Sequence, residues 1–499
     1  MSQILAAINH FAAEFPDRVA MESGYPSESI TYVSLASRIS AMSDLIQRHD
    51  VHAVALLADN GAAWAVMDMA CLAAKLPVIP VPHFFSTSQI SHLFHAAGID
   101  GILTDNPDQV RAICASLKLG YIKPVEVLCG TQTLYLFQLT VTKVDLPDEC
   151  AKVTFTSGST GDPKGVVLSQ QAMEQVAQSL ARVTAAQPSD RHLSLLPYAT
   201  LLENIGGLYA PLLAGACIVV PGLAAVGLSG ASGLDVNRFV GMLVSSRATT
   251  CIMIPQMLHA LVAAVEAGAP KPQQLRYIAV GGAPVSPHLL ARAAELALPV
   301  FEGYGLSEAA SVVAVNSEVD HRAGSVGKLL PHSKVKIAED GEILVAGSLF
   351  SGYLGESALD SEYWPTGDIG HLDEDGFLYL SGRKRHIFIT AFGRNVSPEW
   401  VERELAIESA IAQCCLFGEA RPFNVAVIVP RPGCDEQVIS AAVEAANARL
   451  PDYARVSRWL IAEMPFTIAD GLWTGTGRPR RQQIYAYYQE AIEALYEES

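Results

Sequence analysis

The segment Val153–Gly165 carries the clearest chemical potential in the sequence. It reads Val-Thr-Phe-Thr-Ser-Gly-Ser-Thr-Gly-Asp-Pro-Lys-Gly. Backbone N–H groups beside glycine can approach phosphate oxygens, while hydroxyl groups add donors and a lysine adds positive charge. The segment therefore predicts a polyphosphate site made of these residues: Thr156, Ser157, Gly158, Ser159, Thr160, Gly161 and Lys164. A surface turn rich in glycine, serine and threonine is the alternative.

The same segment argues against a P-loop kinase or NTPase. A Walker loop ends in Gly-Lys-Ser or Gly-Lys-Thr, because the hydroxyl of its last residue holds the metal. Here the corresponding residues are Gly161-Asp-Pro-Lys164. We therefore expect a different type of nucleotide site.

Further polar segments follow along the chain. Glycines after the apolar run that ends at Val280 leave backbone against which a flat ring could lie. Glu308 follows the segment Gly303–Ser307, in which a tyrosine stands between two glycines. Asp368 and Arg383 flank the segment Gly370–Tyr379, whose Asp-Gly pair predicts a hairpin that brings both side chains to one place.

Taken in order, these segments resemble the motifs of the adenylate-forming superfamily, which includes acyl-CoA synthetases, peptide synthetase adenylation domains and firefly luciferases. The resemblance implies that Lys164 and Thr160 assist catalysis at the phosphates and that Glu308 binds Mg²⁺. It also implies a set of nucleotide contacts: Ala283, Pro284, Tyr304, Gly305, Ser307, Asp368 and Arg383. In the family, the turn that ends at Pro284 contacts the adenine, Tyr304 stacks on the base and Ser307 lies near the phosphates. Asp368 accepts both ribose hydroxyls, and Arg383 adds a ribose or phosphate contact. Core packing is the alternative for Tyr304.

The family resemblance continues into the C-terminal segment Phe466–Arg481. In the family, a lysine of this loop bridges the substrate carboxylate and the α-phosphate of ATP, and its position is occupied here by Arg478; no lysine follows Lys384. Arginine keeps the positive charge and can bind two oxygens, but its planar fork is wider. The implied activity is ATP- and Mg²⁺-dependent adenylation of a carboxylic acid with release of pyrophosphate, followed by acyl transfer to a thiol. The alternative is a nucleotide- or acyl-binding protein with lost or weakened adenylation.

Substrate expectations rest on two more segments. Leu195–Asn204 resembles a segment of long-chain acyl-CoA synthetases, which implies an acyl pocket formed by Tyr198, Thr200, Asn204, Gly281 and Gly282. No acidic residue is placed to anchor an ammonium group, so a fatty or other neutral acyl acid is favoured, although the segment could equally be a core helix. The acceptor thiol would be CoA or the phosphopantetheine arm of a carrier protein. Its channel would be lined by Ala391, Phe392 and Gly393, and a small domain would rotate about Arg385.

The elements that must position these residues alternate in type. Short apolar runs separated by helix-like segments predict βαβ units and a layered α/β fold: Val54–Leu57, Pro77–Pro80, Val153–Phe155, Cys217–Val220, Cys251–Ile254 and Ile278–Val280. A helix stripe after Ser169, a strand pair at Ile411–Phe417 and Val425–Val429, and a C-terminal helix are also predicted. We expect a large domain, 1–383, of α/β subdomains with a small barrel-like β part, and a mobile α+β domain, 384–499.

Composition limits the partners. The chain of 499 residues carries a formal charge of −17, which disfavours nucleic acid and anionic membrane surfaces. The uncharged stretch Ile205–Leu234 is interrupted by Pro211 and Pro221, so we expect no membrane span. Nine cysteines without metal-ligand spacing, and an N-terminus unlike a secretory signal, predict a cytoplasmic protein with reduced thiols.

Overall fold

Two large sheets form the frame of the computed structural model, which describes residues 2–24, 27–83, 85–140, 144–156, 163–229, 233–392, 394–474 and 477–497. The first sheet has nine strands in the order β18 (Lys328–Leu329), β17 (Ser311–Val315), β16 (Val300–Leu306), β15 (Tyr277–Val280), β14 (Thr250–Met253), β10 (Arg191–Leu193), β11 (Cys217–Val220), β1 (Val19–Ser23) and β2 (Glu28–Thr31). The six strands from β16 to β1 are parallel.

The second sheet has eight strands in the order β21 (Gly352–Tyr353), β9 (Lys164–Ser169), β8 (Cys150–Thr156), β4 (Val78–Pro80), β3 (Val54–Leu57), β5 (Gly101–Thr104), β7 (Gln132–Gln138) and β6 (Val125–Cys129). Strands β8, β4, β3 and β5 are parallel, and the other neighbours are antiparallel. All six apolar runs of the sequence therefore lie in strands, as predicted.

Two smaller sheets and two ribbons contain the remaining strands. An antiparallel sheet has the order β19 (Lys334–Ile337), β20 (Glu342–Ala346), β22 (Trp364–Leu372) and β23 (Leu378–Arg383), where a barrel-like part was expected. The C-terminal sheet has β26 (Ile411–Phe417), β27 (Asn424–Pro430) and β28 (Val456–Ile461). Two ribbons are β12 (Leu228–Ser229) with β13 (Gly233–Leu234) and β24 (Phe388–Ile389) with β25 (Asn395–Val396).

The helices are α1 (Gln3–Glu14), α2 (Tyr32–Gln47), α3 (Ala62–Ala74), α4 (Thr87–Ala96), α5 (Pro107–Leu117), α6 (Gln170–Val183), α7 (Leu201–Glu203), α8 (Ala210–Leu213), α9 (Leu223–Val226), α10 (Val236–Ser245), α11 (Pro255–Glu266), α12 (Pro287–Glu295), α13 (Pro398–Ala406), α14 (Glu436–Asn447) and α15 (Arg481–Glu497). Asn204–Tyr209 forms a π-helix between α7 and α8, and Ser307–Ala309 and Asp452–Ala454 form 3₁₀ turns.

A layer of helices separates the two large sheets. Helices α2, α3 and α6 share one hydrophobic cluster with strands of both sheets. Helix α3 is buried from Ala62 to Leu72, as expected for a helix that is apolar on every side. Helices α10 to α12 cover the other face of the first sheet, and α4 and α5 cover that of the second. The layered α/β architecture is therefore confirmed.

The C-terminal part has its own core. Two hydrophobic clusters contain only residues from Phe388 onward, whereas the other clusters end at Leu380. The expected strand pair is present as β26 and β27, and α15 packs the predicted stripe of Ile484, Tyr488 and Ile492. The small α+β domain is thus confirmed as a fold.

Two local features adjoin helices. Residues Lys164–Ser169 form strand β9, which pairs with β8, and α6 starts after Ser169, as predicted. Ser397 stands at the N-cap of α13, but its hydroxyl donates to Glu399 Oε2 at 3.2 Å and caps no backbone N–H.

Eight of the nine cysteine thiols are buried, and all nine are free. Within the described ranges, no helix combines the length and apolarity needed to cross a bilayer.

Candidate active site

The predicted phosphate loop, residues 157–163, connects the antiparallel strands β8 and β9. Thr156 ends β8 and Lys164 begins β9, and the two residues are paired across this hairpin. Lys164 Nζ lies 2.8 Å from Glu356 Oε1 and 4.5 Å from the centre of the Tyr353 ring. Ser157, Gly158, Ser159, Thr160 and Gly161 lie outside the described residues. The lysine therefore stands at the base of the loop.

Glu308 lies next to that lysine through Tyr353. It belongs to the 3₁₀ turn that follows β16, and its Oε1 atom accepts a hydrogen bond of 2.7 Å from the Tyr353 hydroxyl. Ser307 begins the same turn. Across the described part of the chain, no group of three or more histidine, cysteine, aspartate or glutamate side chains could hold a metal ion. A single carboxylate beside the predicted phosphate loop is a donor that suits Mg²⁺, which takes most of its ligands from phosphate oxygens and water.

Asp368 and Arg383 are brought together by the hairpin β22–β23, which pairs them directly and confirms the predicted hairpin. Arg383 Nε lies 2.7 Å from Asp368 Oδ1, and the Tyr304 hydroxyl donates to Asp368 Oδ2 at 2.6 Å. Burial raises the pKa of the Asp368 carboxyl, and the charge of Arg383 opposes that rise. The tyrosine ring is thereby fixed at the site by its hydroxyl group.

Arg478 reaches this group of residues from the C-terminal domain. A tight turn, in which the backbone N–H of Thr474 donates to the Arg478 carbonyl at 2.8 Å, directs its side chain to the loop after β15, where Nη2 donates to the Gly282 carbonyl. The side chain keeps an exposed edge. Enclosure by the walls of the cleft and the charge of Arg383 lower the pKa of the Arg478 guanidinium. Two guanidinium groups, those of Arg383 and Arg478, therefore lie near two carboxylates, those of Asp368 and Glu399.

The loop that accepts Arg478 also carries Gly281, Ala283 and Pro284. Gly282 has a φ angle of 82°, in the left-handed region that favours glycine. Gly305, at the end of β16, and Pro284 are exposed on the described surface. Gly281, Gly282, Tyr304 and Gly305 line the same cleft, whereas Ala283 and Pro284 are not among the lining residues.

A cavity of about 300 Å³ extends from this cleft along the face of the first sheet. At one end its walls include Gly281, Gly282 and Ser307, and at the other end Asp190 and Arg276. Between them lie mostly apolar side chains from α6, α7, α8 and the strands: Leu180, Leu201, Leu202, Ala210, Ile252, Ala279 and Val312. The cavity is therefore elongated, with the polar cleft at one end and an ion pair at the other.

Of the expected acyl-pocket residues, Thr200, Gly281 and Gly282 line the cavity, whereas Tyr198 and Asn204 are not among the lining residues. The Tyr198 hydroxyl is 2.8 Å from Ser194 Oγ in the core. Asn204 accepts a hydrogen bond from the buried ammonium group of Lys152, which lies 2.8 Å from Asp68 Oδ1. The reason is the π-helix, which turns Asn204 toward α3 and β8.

Further contacts between the large domain and the C-terminal domain hold the two in the present arrangement. The Ser286 hydroxyl donates to Glu404 Oε1 at 3.3 Å, and His259 Nε2 lies 3.2 Å from the Ile407 carbonyl oxygen. In this arrangement Ala391 and Phe392 are exposed, the latter to 75%, and Gly393 lies outside the described residues. Arg385 is exposed in the turn between β23 and β24.

Sequence reasoning missed several residues of the site. Tyr353 and Glu356 contact Lys164, although almost two hundred residues separate them from it in the sequence. The aromatic side chain of Tyr353, after Ser351 and Gly352, was the only sequence signal for this contact. His192 and Thr250 line the cavity side by side. Their pairing depends on strand order, which single segments do not reveal.

Comparison with known proteins adds two family matches. The family model described as AMP-binding enzyme matches residues 8–354, and the model described as AMP-binding enzyme C-terminal domain matches residues 386–499. A long-chain-fatty-acid–CoA ligase of Mycobacterium tuberculosis is 25% identical over 87% of this chain and 86% of its own length.

Solved structures agree in fold. An anthranilate CoA ligase in complex with anthranoyl-AMP superposes with a TM-score of 0.79 at 17% identity, covering 98% of both chains. The o-succinylbenzoate CoA synthetase of Bacillus subtilis, in complex with ATP and a magnesium ion, gives a TM-score of 0.74 at 22% identity, covering 96% of this chain and 98% of that one.

Proposed function

The chain belongs to the family of AMP-binding enzymes, and from that premise we propose that it is an acid–thiol ligase that activates a carboxylic acid with ATP. The carboxylate attacks the α-phosphorus of ATP, the bond to the bridging oxygen breaks, and pyrophosphate leaves. The resulting acyl-AMP is then attacked by a thiol, which forms the thioester as AMP leaves.

One observation carries this proposal. Arg478 of the small domain donates to the carbonyl of Gly282 at the mouth of an apolar cavity, and Tyr304 at the same mouth donates to Asp368, the partner of Arg383. Ser307 also lines this mouth, directly before Glu308, which Tyr353 connects to Lys164. A nucleotide and an apolar acid would therefore meet at that mouth, where the carboxylate must attack.

The chemistry requires charge neutralisation and alignment rather than a base. Both reactants are anions, so cationic groups and preorganised donors must hold them together as charge moves to the leaving pyrophosphate. Lys164 and the amides of its loop suit the phosphate oxygens. Arg478 suits the carboxylate and the α-phosphate, and Asp368 suits the ribose hydroxyls. The contact of Tyr304 with Asp368 supports a role for that ring against the adenine.

We assign the metal to Glu308, because its lone carboxylate next to Lys164 is the donor type that Mg²⁺ accepts beside phosphates. When bound, Mg²⁺ would neutralise phosphate charge. Tyr353 orients the carboxylate through its 2.7 Å hydrogen bond and so keeps one oxygen in a fixed position.

A fatty or other neutral acyl acid suits the cavity, whose middle is mostly apolar. The relative from Mycobacterium tuberculosis is named as a long-chain-fatty-acid–CoA ligase, which supports the same class of substrate. Thr200, Gly281 and Gly282 would contact the acid near its carboxylate. Tyr198 and Asn204 would act on the pocket only from behind, through the core.

For the second half-reaction we propose that the unit 384–499 rotates about Arg385 relative to 1–383. The exposed residues Ala391 and Phe392 would then enter the cleft with Gly393 and line the thiol channel. CoA and the phosphopantetheine arm of a carrier protein present the same thiol, and both occur in the cytoplasm, where we place the reaction.

Exchange of labelled pyrophosphate into ATP tests the proposal. With Mg²⁺ present, fatty acids should support exchange, and added CoA or acylatable carrier protein should convert the acyl group to a thioester. Amino acids serve as the control panel. Nucleotide binding without exchange for any acid would contradict the proposal and would support a binding protein that has lost adenylation.

A further inference from the structure

A polar pair lines the cavity close to the end that carries Asp190 and Arg276. His192 and Thr250 are direct partners in the parallel strands β10 and β14, so their side chains lie on the same face of the sheet. His192 Nδ1 lies 3.0 Å from Thr250 Oγ1, and both residues line the cavity. Their neighbours in the wall include Leu180, Ala210 and Ile252. The pair therefore lies between the apolar middle of the cavity and the Asp190–Arg276 ion pair.

A buried carboxylate supports this pair from behind. Glu203 is fully buried, its Oε1 atom lies 3.4 Å from His192 Nε2, and its Oε2 atom makes no hydrogen bond within the described residues. The π-helix leaves room for this contact at Gly207, where a Cβ atom would lie 2.3 Å from Glu203 Oε1 and 2.7 Å from His192 Nε2. Glu203 does not line the cavity, so a ligand reaches this chain of contacts only at His192 and Thr250.

The open hydrogen-bonding function belongs to Thr250. Both ring nitrogens of His192 are engaged, one with Glu203 and one with Thr250. If Nδ1 accepts the Thr250 proton, the threonine oxygen can accept a proton from a ligand; if Nδ1 is protonated, the threonine hydroxyl can donate to a ligand. An alcohol group satisfies both arrangements, whereas a ketone satisfies only the second.

The register of strands β14 and β15 gives the distance from Thr250 to the cleft, and so the position along the acid of a group that Thr250 binds. Thr250 is level with Tyr277 of β15, and Gly281 at the cleft follows four residues later. At about 3.3 Å per residue, Thr250 lies roughly 13 Å from the cleft along the strands. We infer that the acid carries a hydroxyl group remote from its carboxylate, bound by Thr250 and oriented by His192. This inference rests on the proposed function and narrows its substrate class.

Fatty acids of one chain length provide the test: the unsubstituted parent, acids with a hydroxyl beside the carboxylate, and acids with a hydroxyl at successive distant carbons. Pyrophosphate release should give the best distant-hydroxy acid a kcat/KM about tenfold above that of the parent, from one added hydrogen bond. The gain should appear in KM, because the contact is far from the reacting atoms.

Variants separate this contact from general effects on the fold. Thr250→Val removes the hydroxyl at similar volume and should abolish the preference, whereas Thr133→Val, the same change on the exposed face of β7, should retain it. Equal use of the parent and of every hydroxy acid, or a preference that survives Thr250→Val, would overturn the inference.

A separate readout distinguishes this inference from the proposed function. Calorimetric binding of the same acids in the presence of AMP reports the cavity without turnover. If no acid releases pyrophosphate, the proposed function fails, and tighter binding of the distant-hydroxy acid that is lost in Thr250→Val would still support the inference. Equal binding of parent and hydroxy acids would refute it.

Discussion

Replacing Arg478 by alanine removes the cationic group that the C-terminal domain contributes to the cleft. In the present arrangement this side chain donates to the Gly282 carbonyl and lies near Arg383 and Asp368. Without it, the Asp368–Arg383 pair, held at 2.7 Å, remains in place. The change should therefore affect charge neutralisation between the two anions while leaving the ribose contacts intact.

The magnitude follows from the role of the group. Loss of one preorganised donor in a transition state lowers kcat by about 10²- to 10³-fold. Arg478 keeps an exposed edge, so solvent screening places the expected loss near the lower limit, about 10²-fold. Arg478→Lys keeps the charge as a compact ammonium group and should lose less than the alanine variant.

The two half-reactions should respond differently. Pyrophosphate exchange measures adenylation, and transfer from chemically prepared acyl-AMP to a thiol measures the second step, which should be unaffected in Arg478→Ala. Arg480→Ala is the matched control, since it removes the same charge from the same segment. Equal exchange rates in the two variants, or equal loss of both half-reactions in Arg478→Ala, would refute this role.

Three further predictions concern stability. Burial raises the pKa of Glu302 to about 7, so the folded state holds a proton that the unfolded state releases near 4.5. The free energy of unfolding of the wild type therefore falls as the pH rises through this window. Relative to the wild type, Glu302→Gln should gain about 3 kcal/mol between pH 5 and pH 8, measured by urea unfolding. Gly207→Ala should lower the free energy of unfolding by about 1–3 kcal/mol, because its Cβ would overlap a buried carboxylate oxygen. Gly241→Ala, with open space at the Cβ position, should raise it by about 0.5–1 kcal/mol; both changes are measured by thermal unfolding. Lys152→Met leaves the charge of Asp68 buried and unpaired and should cost about 3–5 kcal/mol in the free energy of unfolding.

Controls for the charge variants come from the surface. Glu295→Gln, which changes an exposed carboxyl of α12, is the control for Glu302→Gln. A gain in stability of the same size in Glu295→Gln would contradict the assignment to Glu302. Arg111→Ala breaks an exposed pair with Asp108 and should change stability by less than about 1 kcal/mol. A comparable loss in Arg111→Ala and Lys152→Met would argue against the buried pair.

Much of the fold could be predicted from local sequence patterns. The hairpin that pairs Asp368 with Arg383 follows from an Asp-Gly turn between two alternating runs, so its register could be read from nearby residues. Strands such as Val54–Leu57 were found because parallel strands covered on both faces are uniformly apolar. The family motifs then supplied roles for Lys164 and Glu308, which remain predictions.

Contacts between distant segments could not be read in this way. Asn204 looked like a pocket residue because its sequence neighbours resemble an acyl-binding segment, yet a π-helix, which depends on tertiary packing, turns it toward Lys152. Lys152 itself sits in an apolar strand, where its burial is possible only because Asp68 of another helix meets it. The His192–Thr250 pair likewise requires knowledge of which strands are neighbours.

The central claim is that the carboxylate attacks the α-phosphorus of ATP. The most direct measurement uses a fatty acid with heavy oxygen in its carboxyl group, together with ATP, Mg²⁺ and CoA, followed by mass analysis of the nucleotide product. Attack at the α-phosphorus leaves one carboxylate oxygen on phosphorus when the thioester forms, so AMP should carry one heavy oxygen. Formation of ADP, or of AMP without the label, would contradict the account.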